Sequence, residues 1–382
     1  SGRAVIGGDF QTVGFAAGTV TLGRVARFSA GSSDGTFVPV HGNKYVVVGD
    51  FTQINGVNIT NVARLTAAGA VDTTFNNSPS SAYTGGAAGG TVNAVAIDRS
   101  GNVIIGGGFN SFMSQVNTIR ITRLTVAAGV VDVTFSATIT TGPAPGGTAI
   151  QALALDTNGN IFLGGDFTTY NGTVARRLAR LDADTLVFNT RFNTTIGGGF
   201  NSTVRALAVS GSTLMVGGDF TDLNSQPNTT RLARLNTSGV LDTTFNTGTG
   251  PNGSVRTIAL DPFNNVFIGG DFTAVNNVSV GRIAKLLSSG ALDTSFNAVG
   301  GGADNTVRTI VRDGNGRLIV VGLFGSFNGT ANTSRVLRLA ENSGAMDAFF
   351  ATGVGTGPQA GSGSFELGGQ LLVANNPALG FQ

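Results

Sequence analysis

Short stretches of alternating apolar and polar residues recur along this chain, each followed by a continuous apolar run. Val255-Arg256-Thr257-Ile258-Ala259-Leu260 alternates with the period of a half-buried strand. Asp261-Pro262-Phe263-Asn264-Asn265 carries turn chemistry. Val266-Phe267-Ile268 suits a strand buried on both faces. The Gly269-Gly270 pair after it lets neighbouring backbone approach closely or bulges the strand. Arg282-Ile283-Ala284-Lys285-Leu286 predicts a third strand, Ser288-Ser289-Gly290 a turn, and Ala291 to Phe296 a fourth short strand.

The same order of elements occurs seven times. Each copy has an apolar run ending in Gly-Gly-Asp-Phe or a variant, a polar loop often containing Asn-Gly, and a strand with basic residues three apart. A small-residue turn and an Asp-x-x-Phe element complete it. The anchor phenylalanines are Phe10, Phe51, Phe109, Phe167, Phe220, Phe272 and Phe324, spaced by 41, 58, 58, 53, 52 and 52 residues. The first interval is short because Phe37 to Tyr45 skips most of a linking strand. The second and third hold insertions, Asn77 to Gly90 and Thr140 to Gly147, rich in Gly, Ser and Pro. Four strands per unit without helical periodicity predict an all-β fold, a single β-propeller over residues 1–382 with about seven four-stranded blades. A β-solenoid is the second choice, its coils being shorter than this unit.

The termini bear on closure. The first unit enters at its second strand, Ala4-Val5-Ile6, and lacks a first one. Ser364 to Asn375 is a β segment without an evident partner. A ring closed by pairing of N- and C-terminal strands removes the open edges. Residues 351–382 are therefore expected to close the ring or to exchange with a neighbouring molecule. Leu371-Leu372-Val373 resembles another second strand, which leaves the start of an eighth unit open.

The stretch from Ala233 to Asn246, ARLNTSGVLDTTFN, followed by Val255 to Phe272, resembles the delta-60 repeat of bacterial proteins. Matching copies cover nearly the whole chain. The resemblance implies a propeller-like fold within large secreted or surface-attached proteins, and it implies no catalytic residue.

Charge narrows the function classes. Charged residues make up 12% of the chain, the formal net charge is +2, and Lys44 and Lys285 are the only lysines. The arginines are spaced regularly instead of clustering, which argues against nucleic acid or an anionic membrane as partner. No apolar run reaches 18 residues, so no membrane insertion is expected. The absence of Cys fits an extracellular or cell-surface protein. No signal peptide is visible, and the Ser1-Gly2-Arg3 start reads as a mature or trimmed end.

Candidate chemistry is sparse. Gly-Gly-Asp-Phe invites comparison with the diguanylate cyclase signature, but the further acid that signature needs is absent and the element recurs. Asp9, Asp50, Asp166, Asp219 and Asp271 are expected to accept hydrogen bonds from turn amides, with Gly108 and Leu323 in the same slot elsewhere. Arg27, Arg64, Arg123, Arg180, Arg234, Lys285 and Arg338 fill a basic slot. Asp34, Asp72, Asp132, Asp242, Asp293 and Asp347 follow seven to nine residues later, and Asn189 replaces the acid in the fourth unit. One ion pair per blade across the turn is the prediction, serving register and specificity. Asp156-Thr157-Asn158-Gly159-Asn160 has the alternating oxygens of a calcium loop but not its closing acid, so a hairpin turn is favoured. His41 is the only histidine and sits in a turn, which removes a Ser-His-Asp triad. Glu341 and Glu366 are the only glutamates, and most aspartates belong to the repeat, which disfavours glycosidase carboxylates. No cofactor or metal is expected.

Asn-x-Ser/Thr sequons include Asn58, Asn171, Asn193, Asn201, Asn228, Asn236, Asn252, Asn277, Asn328 and Asn332. The leading expectation is a non-enzymatic extracellular structural or adhesive module that contacts glycans, proteins or copies of itself, with self-assembly into a layer or filament as one form. A lectin-like or protein-binding propeller comes second, and a polysaccharide lyase or glycosidase third.

Overall fold

The computed structural model describes residues 3–7, 13–15, 18–20, 25–29, 32–33, 45–49, 53–54, 57–65, 71–75, 87–88, 90–115, 117–144, 149–183, 185–297, 301–312, 316–331, 335–347 and 357–358. In the sixth unit the alternating segment Val255–Leu260 pairs antiparallel with the apolar run Val266–Gly270. That run pairs on its other side with Ile283–Leu286. The third, fourth, fifth and seventh units repeat this three-stranded order. In the first unit Arg3–Gly7 pairs with Val25–Ser29, the second-with-third pairing, as expected for a copy that enters at its second strand. Tyr45–Val48 and Val62–Leu65 do the same in the second unit.

The loop after each anchor is more ordered than its polar sequence suggests. Thr169–Tyr170 and Thr173–Val174 form a tiny hairpin around Asn171-Gly172. Ser326–Phe327 and Thr330–Ala331 form another around Asn328-Gly329. All four turn residues have positive φ, the geometry that favours Asn-Gly between two strands. The hairpin also meets the linker that precedes its own unit. Pro143–Ala144 pairs with Thr169–Tyr170, and Phe200, Pro251 and Ala303 bridge to Leu223, Val275 and Phe327. In the first unit the partner of Val13 and Gly14 is Pro358 and Gly357.

The expected fourth strand contracts to a single bridge. Leu286 bridges Leu292, and Leu65, Leu124, Leu181, Leu235 and Leu339 make the equivalent bridge in their units. The aspartate of the Asp-x-x-Phe element turns the chain away: Asp293 accepts from the Ser295 amide at 3.0 Å. In the third and fourth units the same position N-caps a short helix, Val133–Ala137 under Asp132 and Thr190–Ile196 under Asn189. The fold is all-β and propeller-like, built of small antiparallel sheets with these two helical turns.

Among the described residues, the three-stranded sheets of different units share no backbone ladder. They pack face to face instead. The first strands of units three to seven lie against one another in order, and each also packs on the second strand of the unit before it. A solenoid would join its coils into continuous ladders, so this arrangement is of the propeller kind.

The hydrophobic clusters lie between sheets. Phe162, Leu214 and Val216 of units four and five share one cluster, and Phe267, Val307 and Leu318 of units six and seven share another. The anchors Phe109, Phe167, Phe220, Phe272 and Phe324 are fully buried. The two glycines before them have different tasks. A Cβ on the first would press into the next unit: 2.7 Å from Ile150 at Gly106, 2.7 Å from Val255 at Gly217 and 2.5 Å from Val307 at Gly269. A Cβ on the second would overlap the unit's own backbone, at the Thr203 carbonyl for Gly218 and the Ser254 carbonyl for Gly270. The ladder shifts register opposite this pair, between Val255 and Thr257. Val48 and Val321 occupy the first slot in units two and seven, so only the second glycine recurs in every copy.

Gly269→Ala should cost about 1–3 kcal/mol through overpacking against movable side chains. Gly270→Ala should cost more, because backbone stands in the way. Urea unfolding of the two variants checks this, and a smaller loss at Gly270 would contradict the close-approach account.

Candidate functional site

The recurring charged side chains meet at the junctions between units. The predicted pairs form in units two, three, five, six and seven: Arg64 with Asp72 at 2.8 Å, Arg123 with Asp132 at 2.7 Å, Arg234 with Asp242 at 2.8 Å, Lys285 with Asp293 at 3.2 Å and Arg338 with Asp347 at 2.6 Å. In the fourth unit, where Asn189 stands in the acid slot, Arg180 pairs with Asp182 at 2.9 Å, and the Asn189 amide donates to both oxygens of that carboxylate. Asp34 lies outside the described residues, so the Arg27–Asp34 pair has no counterpart here.

Several pairs have an aromatic floor, a far contact or both. The guanidinium carbons of Arg64, Arg123 and Arg234 lie 4.3, 5.4 and 4.7 Å from the ring centres of Phe75, Phe135 and Phe245, the Asp-x-x-Phe phenylalanines. Arg64, Arg180 and Arg234 reach the next unit's outer turn. Arg64 donates to the carbonyls of Val126 and Ala127, Arg180 to Thr237 and Arg234 to Ser288. Burial tends to raise the Asp132 pKa, but the Arg123 hydrogen bond and the Phe135 amide hold it below its ordinary value.

The basic residue three positions earlier has a separate role. Arg120, Arg177, Arg231, Arg282 and Arg335 all have φ between 61° and 67°, a region bulky side chains rarely occupy. From there Arg120 donates to the Pro143 carbonyl at 2.9 Å, Arg177 to Phe200 at 2.7 Å and Arg282 to Ala303 at 3.0 Å. Each acceptor belongs to the linker entering the next unit.

The Gly-Gly-Asp carboxylate departs from expectation. Asp166 does accept a backbone amide, from Ala149 at 2.5 Å. Asp219 instead holds Arg205 through two bonds of 2.7 and 2.6 Å, and Asp271 holds Arg256 at 2.7–2.8 Å. Arg205 and Arg256 occupy the bulge opposite the glycine pair, which aims them at the aspartate. Both carboxylates also accept a hydroxyl from the next unit, Ser254 on the Asp219 oxygen that takes the Arg205 Nε–H and Thr306 on the Asp271 oxygen that Arg256 leaves open. Burial pushes the Asp219 pKa up, and the Arg205 and Ser254 bonds with the Arg205 and Arg256 charges bring it below normal. The Asp219 hydrogen bond raises Arg205 against its burial. Arg205 and Arg256 were missed in the sequence; the signal was a Val-Arg pair at the start of the first strand in units five, six and seven. Asp9 and Asp50 lie outside the described residues.

The remaining candidates serve local structure. Asp156 accepts the Asn158 and Asn160 amides and the Asn160 side chain at 2.7–2.9 Å, and Asn160 accepts the Ala183 amide. Asp98 and Asp261 do the same in their hairpins, so these are the plain turns favoured above. Among the described residues no three metal-ligating side chains gather. Glu341 pairs with Arg312; His41 and Glu366 lie outside the described residues. Several sequon amides are already engaged: Asn171 donates to the Thr138 carbonyl, Asn193 to Leu178, Asn201 to Thr221 and Asn252 to Thr273.

One open cleft of about 410 Å³ lies at the junction of units four and five, between the Gly198–Asn201 linker, the third-strand approach at Arg176-Arg177 and the post-anchor loop at Asp222 and Asn224.

Five segments, residues 43–75, 157–184, 213–245, 264–296 and 314–350, match the family model described as a domain of unknown function (DUF5122) beta-propeller. The chain is a propeller-repeat protein. The matched segments hold the second and third strands with their basic residues, the part that carries the outer pairs. No curated protein matches the chain. Among solved structures it is similar to the WD40 beta propeller domain of Doa1, at 13% identity and TM-score 0.43, over 91% of this chain and 86% of that one. A gluconolactonase from Xanthomonas campestris is similar at 14% identity and TM-score 0.38, over 83% and 94% of the two chains. A protein of unknown function from Bacteroides caccae is similar at 11% identity and TM-score 0.42, over 79% and 92%.

The outer pairs of this propeller repeat differ in burial, and their removal should differ in cost. Arg64 and Asp72 are 8% and 6% exposed, whereas Asp242 is 36% exposed. Asp72→Ala should lose about 3 kcal/mol by stranding a buried cation. Asp242→Ala should lose about 1 kcal/mol, mostly from the turn it caps. Equal losses in chemical denaturation would refute this ordering.

Proposed function

We propose that this chain is a non-enzymatic, extracellular or cell-surface structural and adhesive module of the delta-60 repeat type. Its seven units form a ring, with the single bridge in each unit as a rudimentary fourth strand. The observation that carries the non-enzymatic reading is the engagement of the recurring carboxylates. Asp72, Asp132, Asp219, Asp242, Asp271, Asp293 and Asp347 are each held in an ion pair. An acid or base for glycoside cleavage needs a carboxylate open to substrate. The low charge and the Asn/Thr/Gly-rich exterior favour glycans or proteins as partners. Beads coated with the protein should be retained on polysaccharide or cell-wall surfaces without releasing reducing ends. Release of reducing or unsaturated sugar ends would overturn this reading, and so would a lack of retention.

Ring closure within one chain is supported by the pairing of Gly357–Pro358 with Val13 and Gly14. Val13 stands three residues after its anchor, as Tyr170 and Val275 do, and those positions take the linker residues Pro143 and Pro251. The C-terminal segment thus stands to the first unit as an ordinary linker stands to the unit it enters. Strand exchange between molecules is the second reading. The chain has no cysteine, so the pair Val13→Cys and Pro358→Cys tests the choice cleanly. Opposed residues in an antiparallel ladder lie within disulfide reach. Closure within one chain predicts a monomeric band on a non-reducing gel after oxidation, and exchange predicts ladders that grow with concentration.

A further inference from the structure

We propose that the cleft between units four and five binds an acidic sugar, a pyranose carrying a carboxylate. The position before each left-handed third-strand residue is Thr60, Ile119, Thr230, Gly281 or Ser334 elsewhere, and Arg176 only here. The position two after the anchor is Thr12, Gln53, Ser111, Thr169, Ala274 or Ser326 elsewhere, and Asp222 only here. Both departures fall on one junction and line one cleft. Both backbones meet the linker entering unit five, but neither side chain takes part in the inter-unit contacts described above, so the packing of the ring does not account for the choice of side chain.

The Arg176 carbonyl accepts the Phe200 amide at 3.4 Å, while its side chain is exposed and makes no hydrogen bond or ion pair among the described residues. Asp222 faces the same space but forms no ion pair with it. A cation and an anion that line one cleft without meeting leave room for a group that satisfies both. The other walls are fixed. Arg177 is tied to the Phe200 carbonyl at 2.7 Å. Asn201 accepts the Thr221 and Asp222 amides at 2.9 and 3.2 Å and donates to the Thr221 hydroxyl. Asp222 accepts the Ser225 amide through one oxygen, leaving the other open. Asn224 donates to the Ile196 carbonyl, and its own carbonyl oxygen borders Gly198. Gly198 and Gly199 supply a floor without side chains.

The open groups are thus one guanidinium and two acceptor oxygens on a rigid frame. A guanidinium matches a carboxylate in planar geometry. Asp222 and Asn224 suit hydroxyl donors. The volume lies within the range of small-molecule sites. A hydroxyl-rich monocarboxylate satisfies all three at once, whereas a neutral sugar leaves the guanidinium unmatched.

This site deepens the adhesive reading and is tested apart from it, because that reading is judged on immobilised surfaces and this one on a soluble probe. Titration calorimetry of the whole chain with trigalacturonate should show binding, and galactotriose should bind at least about tenfold more weakly, which is 1.4 kcal/mol. Arg176→Gln should abolish that preference with an unchanged melting temperature, since the side chain is exposed. Asp222→Asn should weaken the acidic probe while keeping its preference over the neutral one. No binding of trigalacturonate, equal binding of both probes, or an unchanged preference in Arg176→Gln would each overturn the proposal.

Discussion

Among the described residues no unit owns a hydrophobic core. Each cluster is shared by two successive sheets, so burial exists only where one sheet lies on the next. That constraint explains the two glycines better than turn chemistry does. Aliphatic side chains such as Val204 and Val255 must seat on the backbone of the preceding sheet, and a side chain at Gly164 or Gly217 would hold them off. The second glycine solves a problem inside the unit, where the bulged first strand crosses close to the second. The anchor phenylalanine then fills the space below. The motif is one packing device, and its aspartate is the polar end of it.

Face-to-face packing of apolar sheets has little directional preference, because hydrophobic burial is not directional. Polar contacts of three kinds supply that direction, two of them at each junction from unit four to unit seven. Asp219 and Asp271 take a hydroxyl from the next unit's first strand. The left-handed arginines grip the incoming linker, and the paired arginines grip the outer turn. The Arg64 and Arg234 guanidiniums are fixed before they reach across, by an aspartate and by a phenylalanine ring beneath. Ion pairs of this kind add little net stability when exposed, but they penalise a misplaced neighbour that leaves a charge unmatched. The sparse charge of the composition follows, since much of it is committed to register.

Local chemistry was legible in the sequence, and junction chemistry was not. The Arg–Asp pairs could be read because both partners sit across one turn, and the three-strand order could be read from alternation and apolar runs. Arg205 could not be assigned to Asp219, because the bulge that brings them together follows from backbone crowding at Gly217-Gly218. The fourth strand was overread. Ala291 to Phe296 has strand-like residues, yet Asp293 closes a turn on Ser295 and leaves only Leu292 bridged. In the fourth unit the same competition goes further, because Asn189 caps a helix and its former partner Arg180 turns to Asp182. That substitution shows which feature the repeat protects: the acid moves seven residues along the chain, and the ion pair stays.

A repeat whose junctions are all built alike has no site of its own until one junction differs. The packing requirements fix the glycine pair, the bulge and the two basic slots, and they leave the residues on either side of them free to vary. Arg176 sits beside the left-handed Arg177, which must grip Phe200 for the junction to hold. Asp222 sits two residues beyond the buried Phe220. Both positions are therefore held in place by neighbours that the fold cannot change, while the Arg176 side chain carries no load in it and that of Asp222 does no more than close the turn to Ser225. This is where a ring of near-identical units can acquire one distinct binding surface without disturbing its closure, and it is the place in this chain where two such positions have departed together.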